Sequence, residues 1–143
     1  MSPVRRSILE RRAETHPGSD DRRLLGRTYA IPFEDVWQAS TSLARDLRGW
    51  NVVSADDRAG RIDAIARSVV LGRETEVVIS VGLDENAQTR VDLSAETRTR
   101  HRGDFGRSRR LIGRFTTKLD ANLRAHERQI LDPAALPRFQ GSA

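Results

Sequence analysis

The stretch TEVVISVGLDENAQTRVDLSAETR, Thr75–Arg98, decides the fold. Its first part is a run of β-branched residues, and its last part alternates Val91, Leu93 and Ala95 against Arg90, Asp92 and Ser94. A period of two sends one set of side chains to a core and the other to water. DENAQ between them is a polar hairpin loop, so the stretch predicts two antiparallel strands.

The same reading extends upstream. WNVVSAD (50–56) is a strand, DRAG (57–60) a turn, and RIDAIARS (61–68) carries Ile62, Ala64 and Ala66 on one face. VVLGRE (69–74) is a turn centred on Gly72. Four strands joined by short turns make an antiparallel meander with one buried face. Before the meander, RTYAI (27–31) is a further strand ended by Pro32.

PFEDVWQASTSLARDLRGW then opens a helix, with proline at its start and Glu34 and Asp35 complementing its dipole. Phe33, Val36, Trp37, Ser40, Leu43, Ala44 and Leu47 fall on one stripe, and Gly49 ends the helix. After the meander, a long helix is expected from about Phe105 to Glu127, with Asp104 as N-cap. Phe105, Leu111, Ile112, Phe115, Leu119, Asn122, Leu123 and His126 project to one side of it, and Arg107, Arg110, Arg114 and Lys118 to another.

The expected fold class is therefore α+β: an antiparallel meander of about five strands in the order β-α-β-β-β-β-α, packed by an N-terminal helix and a long C-terminal helix. Residues 1–26 read as a flexible polar arm, with a helical turn over Ser7–Ala13, and residues 128–143 as a C-terminal tail. A single domain lies between them, at 27–127.

Composition narrows the function. The chain has no cysteine, which excludes disulfides, thiolate zinc sites and a cysteine nucleophile. The arginine pairs near the N-terminus are not followed by an apolar run, and no window reaches the length of a membrane span, so a cytoplasmic protein without a transmembrane segment is expected. The histidines, His16, His101 and His126, are scattered, and no HExxH, GxSxG or P-loop is present. No catalytic residue, metal ligand or cofactor is assigned, and the protein is read as a non-enzyme.

The net charge of +5 is concentrated in one place. Seven arginines lie between Arg98 and Arg114 against Asp104 alone, which leaves the rest of the chain close to neutral. Arg98, Arg100 and Arg102 lead into the last helix, and Arg107, Arg110, Arg114 and Lys118 stand along it. Gly103 and Gly106 leave room for a backbone to approach a bound group. These residues are the candidate site for an anionic macromolecule, either nucleic acid or an acidic protein surface. The competing reading is a solvated face neutralised locally by Asp104, Asp120 and Glu127. A second candidate is an apolar pocket between helices and sheet, lined by Tyr29, Trp37, Trp50, Phe105 and Phe115, for a small lipid-like ligand. The competing reading there is ordinary core.

Several spaced motifs resemble the bacterial domain-of-unknown-function family fourteen ninety-nine. They are Ile31–Pro32 with Val36–Trp37, then Trp50, GRIDAIARS (60–68) and EVVISV (76–81). A closing segment matches at Thr89, Arg90, Val91, Asp92, Ser94, Gly103, Asp104, Gly106, Arg110 and Ile112. The resemblance spans Arg27 to Phe115 and departs at Ser108, where the family tends to asparagine, and near Glu96, where it tends to serine. More distantly, the order of elements is similar to helix-grip (START-like) domains, which hold apolar ligands under a long C-terminal helix. The resemblance implies the fold. The expected function is a binding or assembly module docking an anionic partner, or alternatively a carrier of a small apolar ligand.

Overall fold

The structure, a computed structural model, describes residues 12–15, 26–68, 73–97, 104–124 and 130–131. The elements are β1 (Arg12–Glu14), β2 (Arg27–Tyr29), α1 (Phe33–Asp46), β3 (Trp50–Asp56), β4 (Arg61–Arg67), β5 (Glu74–Leu83), β6 (Thr89–Thr97), α2 (Asp104–Arg124) and β7 (Ile130–Leu131). The chain is thus α+β, with an antiparallel meander and one helix on either side of it in sequence, as the periodicities predict.

The meander β3-β4-β5-β6 continues through β2 to β7, and every pairing is antiparallel. The β5–β6 ladder runs from Thr75 opposite Thr97 to Leu83 opposite Thr89. At its tip the Asp84 carboxylate accepts the N–H groups of Asn86 and Gln88, which closes the loop. The far edge of β6 carries two short strands end to end: β2 pairs with Arg90 and its neighbours, β1 with Glu96 and its neighbours. Two expectations change here. Arg12–Glu14 is a strand, not the end of a helical turn in a free arm, because the N–H and C=O groups along β6 accept it. Ile130–Leu131, placed in the tail, pairs with β2. Residues 1–11, 16–25, 125–129 and 132–143, with the Gly72 turn, lie outside the described residues, and His126 with them.

One face of the sheet is buried. Ile62, Ala64 and Ala66 of β4, Val77, Ile79 and Val81 of β5, and Val91, Leu93 and Ala95 of β6 all point into the core. Both helices cover this face, α1 over β3 and β5, α2 over β6 and β1, and they touch each other. The opposite face is wetter and carries side-by-side ion pairs, Arg61–Asp63, Arg67–Glu74 and Arg90–Asp92. On β3 a bulge at Val53 keeps Val52 opposite Ala64 and Ala55 opposite Ile62, and leaves Val53 exposed at the sheet edge.

Helix α1 buries Val36, Ser40, Thr41, Leu43 and Ala44. Phe33, Trp37 and Leu47 fall within the same arc but are only half-buried, packed against the core from its edge. Trp37 therefore packs against the core without being closed off in it: Phe33 and Trp37 stand in the first two turns of the helix and Leu47 just past its last, and all three stay partly open. Gly49 lies just past the helix with φ +82°, and a Cβ there would stand 2.7 Å from the Arg67 carbonyl. Gly60 is more constrained: its φ is +65°, and a Cβ would lie 2.0 Å from the Val81 carbonyl oxygen. The Val81 N–H donates to the Gly60 carbonyl at 2.7 Å, so the β3–β4 turn is tied down on β5.

Candidate functional site

Helix α2 carries the charge, so its two sides are taken in turn. Leu111, Ile112, Phe115, Leu119 and Leu123 face inward, and the small polar residues Ser108 and Thr116 are fully buried with them. Thr116 spends its hydroxyl on the carbonyls of Ile112 and Gly113. The Ser108 hydroxyl joins a buried chain with Thr97 and Thr75, at 3.0 Å for each step. That chain fastens the first turns of α2 to the ends of β5 and β6. Asn122, expected on the apolar side, is exposed. Asp104 begins the helix, but its side chain and that of Phe105 lie outside the described residues.

The opposite side presents Arg110, Arg114 and Lys118, all exposed, and the row continues to Arg124 in the last turn. From Arg110 to Arg124 the row covers roughly 21 Å of helix axis. Thr117, Ala121 and Asn122 are the other exposed residues of this stretch, so no acid interrupts it. No ion pair among the described residues involves any of the four cations. Arg124 was legible as a helix-terminal cation, but a stripe drawn through Arg107–Lys118 passes it by.

One arginine leaves the row. Arg107 is half-buried, and its Nε donates to the Thr75 hydroxyl at 3.1 Å, with a longer contact of 3.5 Å from Nη2 to the Ala66 carbonyl. The outward placement of Arg107 is therefore corrected. Angular projection locates its Cα, whereas its long flexible stem carries the guanidinium over the end of the sheet. Arg109 is half-buried too. Gly106 sits in the first turn, where a Cβ would meet only the Arg110 guanidinium, at 3.9 Å. Arg98, Arg100, Arg102 and Gly103 lie outside the described residues.

The acid on α2 closest to the row does not neutralise it. Asp120 accepts from the Tyr29 hydroxyl at 2.6 Å and from Arg27 Nε at 3.0 Å. Tyr29 is fully buried. Burial, then the Asp120 charge and its hydrogen bond, push the phenol far above its ordinary range, partly offset by Arg27. Tyr29 is therefore a neutral donor that ties β2 to α2, and the Asp120 charge is spent on this clamp. Asp104 and Glu127, the other acids expected to pair locally, have no described side chains.

The aromatic residues do not gather around one pocket. Tyr29 and Phe115 are fully buried core residues, and Trp50 stacks on Phe115 with ring centroids 5.6 Å apart. Trp37 stacks instead on Phe33, at 6.0 Å and 10° between planes. Trp37 lines an open cleft between α1 and the β3–β4 turn, Trp50 a smaller one beside Gly49 and Ile65, and neither cleft reaches Tyr29 or Phe115. Of the residues expected to line an apolar pocket, Phe115 packs on Trp50, Tyr29 is closed off in the core, and Trp37 packs against the core while lining the outer cleft; the Phe105 side chain lies outside the described residues.

Among the described residues no three histidine, aspartate or glutamate side chains converge on a possible metal position. No helix among them is long and apolar enough to cross a membrane. No family model matches the chain, and no curated protein matches it.

Proposed function

We propose that the protein is a non-catalytic binding module that docks an anionic macromolecule on the outer face of α2. One observation carries this reading: Arg110, Arg114, Lys118 and Arg124 form an exposed row with no acid in it and no ion pair among the described residues. A solvated helix face is ordinarily laced with opposite charges three or four residues apart. Here Asp120, the acid of the helix whose side chain is described, is turned aside to Tyr29 and Arg27. Three of the four cations are arginine, whose planar fork suits phosphate and carboxylate oxygens. Arg98, Arg100 and Arg102 extend the same charge in sequence. Kinship with family fourteen ninety-nine and its helix-grip relatives belongs to this proposal and rests on the motifs given above.

The test is electrostatic. Four phosphate contacts predict a slope of about −3.6 in log K against log salt on duplex DNA, or roughly a 100-fold loss between about 50 and 200 mM. Binding of a fluorescent duplex and of poly-glutamate is followed by anisotropy across that range. Duplex binding alone identifies a phosphate partner, and poly-glutamate binding alone an acidic protein surface. The variant R110Q/R114Q/K118Q/R124Q is expected to flatten the slope while melting within about 0.5 kcal/mol of wild type, because exposed charges contribute little to folding. A salt-independent signal, or wild-type binding by that variant, refutes the proposal.

A further inference from the structure

The cleft beside α1 is a second surface, unrelated to the basic row on α2. It encloses about 770 Å³, within the range of small-molecule sites. One wall is the stacked pair Phe33–Trp37, held on successive turns of a helix so that the indole plane is set in advance. The other wall is the β3–β4 turn. Asp56 accepts the N–H groups of Arg58 and Ala59 at 3.0 and 3.3 Å, and Gly60 is bonded to Val81, so the backbone that carries Arg58 is fixed.

The polar side chains of the lining decide what fits. Arg45 and Arg58 both line the cleft, both are exposed, and neither makes an ion pair among the described residues. Glu34 and Asp57 also line it. Glu34 stands in the first turn of α1, where the helix dipole already offsets its charge. Arg45 stands in the last turn and is offset in the same way, so the two carboxylates and two guanidinium groups of the lining balance; what the cleft offers an anion is two guanidinium groups with no ion-pair partner among the described residues. The spacing matters as well. Arg45 lies two turns beyond Trp37, about 12 Å along the axis, and helical side chains lean toward the N-terminus. Arg45 and Trp37 line the same cleft from one helix. Arg58 lines the cleft from the β3–β4 turn, and that turn approaches Phe33, whose ring lies 3.7 Å from where a Cβ on Gly60 would be.

We propose that this cleft binds a flat aromatic anion: a ring system lying against Trp37, with its carboxylate or phosphate taken by Arg45 or Arg58. A mononucleotide and an aromatic carboxylate share that chemistry, and the probes separate them. Adenosine 5′-monophosphate, 1-naphthoate and uncharged adenosine are titrated into the full chain while the two tryptophan indole N–H signals are followed by NMR, assigned with W37F and W50F. The expected result is a saturable shift of the Trp37 signal, with Trp50 unmoved, by one or both anions and not by adenosine. R45Q/R58Q is expected to weaken that binding at least tenfold with an unchanged melting curve. Response to the nucleotide alone, or to naphthoate alone, identifies the source of the acid group. The proposal is overturned if neither anion shifts Trp37, if adenosine binds as well as its monophosphate, or if R45Q/R58Q binds like wild type.

Discussion

Replacing Asp120 with alanine probes the clamp that holds β2 to α2. The substitution removes the acceptor of a 2.6 Å hydrogen bond from Tyr29, whose side chain is fully buried, and the partner of Arg27. A buried donor left without an acceptor costs about 1–3 kcal/mol. The ion pair is partly wet, its side chains 16% and 19% exposed, and adds less than about 1 kcal/mol. Asp120→Ala should therefore lose about 2–3 kcal/mol in urea or thermal unfolding, a fall in melting temperature of roughly 10–20 °C for a domain of this size. Tyr29→Phe, which leaves Asp120 bonded to Arg27, should lose only about 1 kcal/mol. In the Asp120→Ala background it should be nearly neutral, because no donor is then orphaned. If the two changes add within about 0.5 kcal/mol, the hydroxyl–carboxylate bond contributes nothing and the reasoning fails.

The clamp also has a signature in pH. The folded phenol titrates above the unfolded one, so folding favours the proton. Stability is then fully present below about pH 10, the unfolded value, and falls by up to about 1.4 kcal/mol per unit above it. Tyr29 is the only tyrosine, so the ultraviolet absorbance of phenolate should appear together with unfolding and not before it. Phenolate formation in a protein that stays folded would contradict the burial of this hydroxyl, and Tyr29→Phe should remove the alkaline slope.

Three further outcomes are expected in urea unfolding. Phe115→Ala should lose about 3–5 kcal/mol, because the ring is fully buried and stacked on Trp50, whereas Trp37→Ala should lose about 1–2 kcal/mol from a half-buried position; equal losses would refute the distinction. Gly60→Ala should destabilise by at least about 2 kcal/mol, since its Cβ would overlap the Val81 carbonyl in a left-handed turn, and a neutral result would mean the turn is not pinned to β5. Ser40 is fully buried with no hydrogen-bond partner for its hydroxyl among the described residues, so Ser40→Ala should be neutral or stabilising by up to about 1 kcal/mol; a loss beyond that would reveal a partner.

The amino-acid order by itself determined the elements and their sides. Alternation in β4, β5 and β6 and the three-to-four spacing of Leu111, Ile112, Phe115, Leu119 and Leu123 are local patterns, and local geometry converts them directly into buried and exposed faces. The exposed cations Arg110, Arg114 and Lys118 were legible for the same reason. What tertiary structure decided lies in contacts that no local period encodes. Asp120 meets Tyr29 and Arg27, 91 and 93 positions away, and so leaves the basic row without a counter-charge among the described residues. Arg107 reaches Thr75 across 32 positions and leaves that row. Arg12–Glu14 becomes a strand only because β6 offers an edge, which a three-residue polar segment cannot announce. Trp37 packs against the core and also lines an outer cleft because the β3–β4 turn stands opposite the start of α1, a neighbour that no helical period encodes. Short-range periodicity specifies which way a backbone position points; the reach of a long side chain and the partner it finds are set by residues far away in sequence.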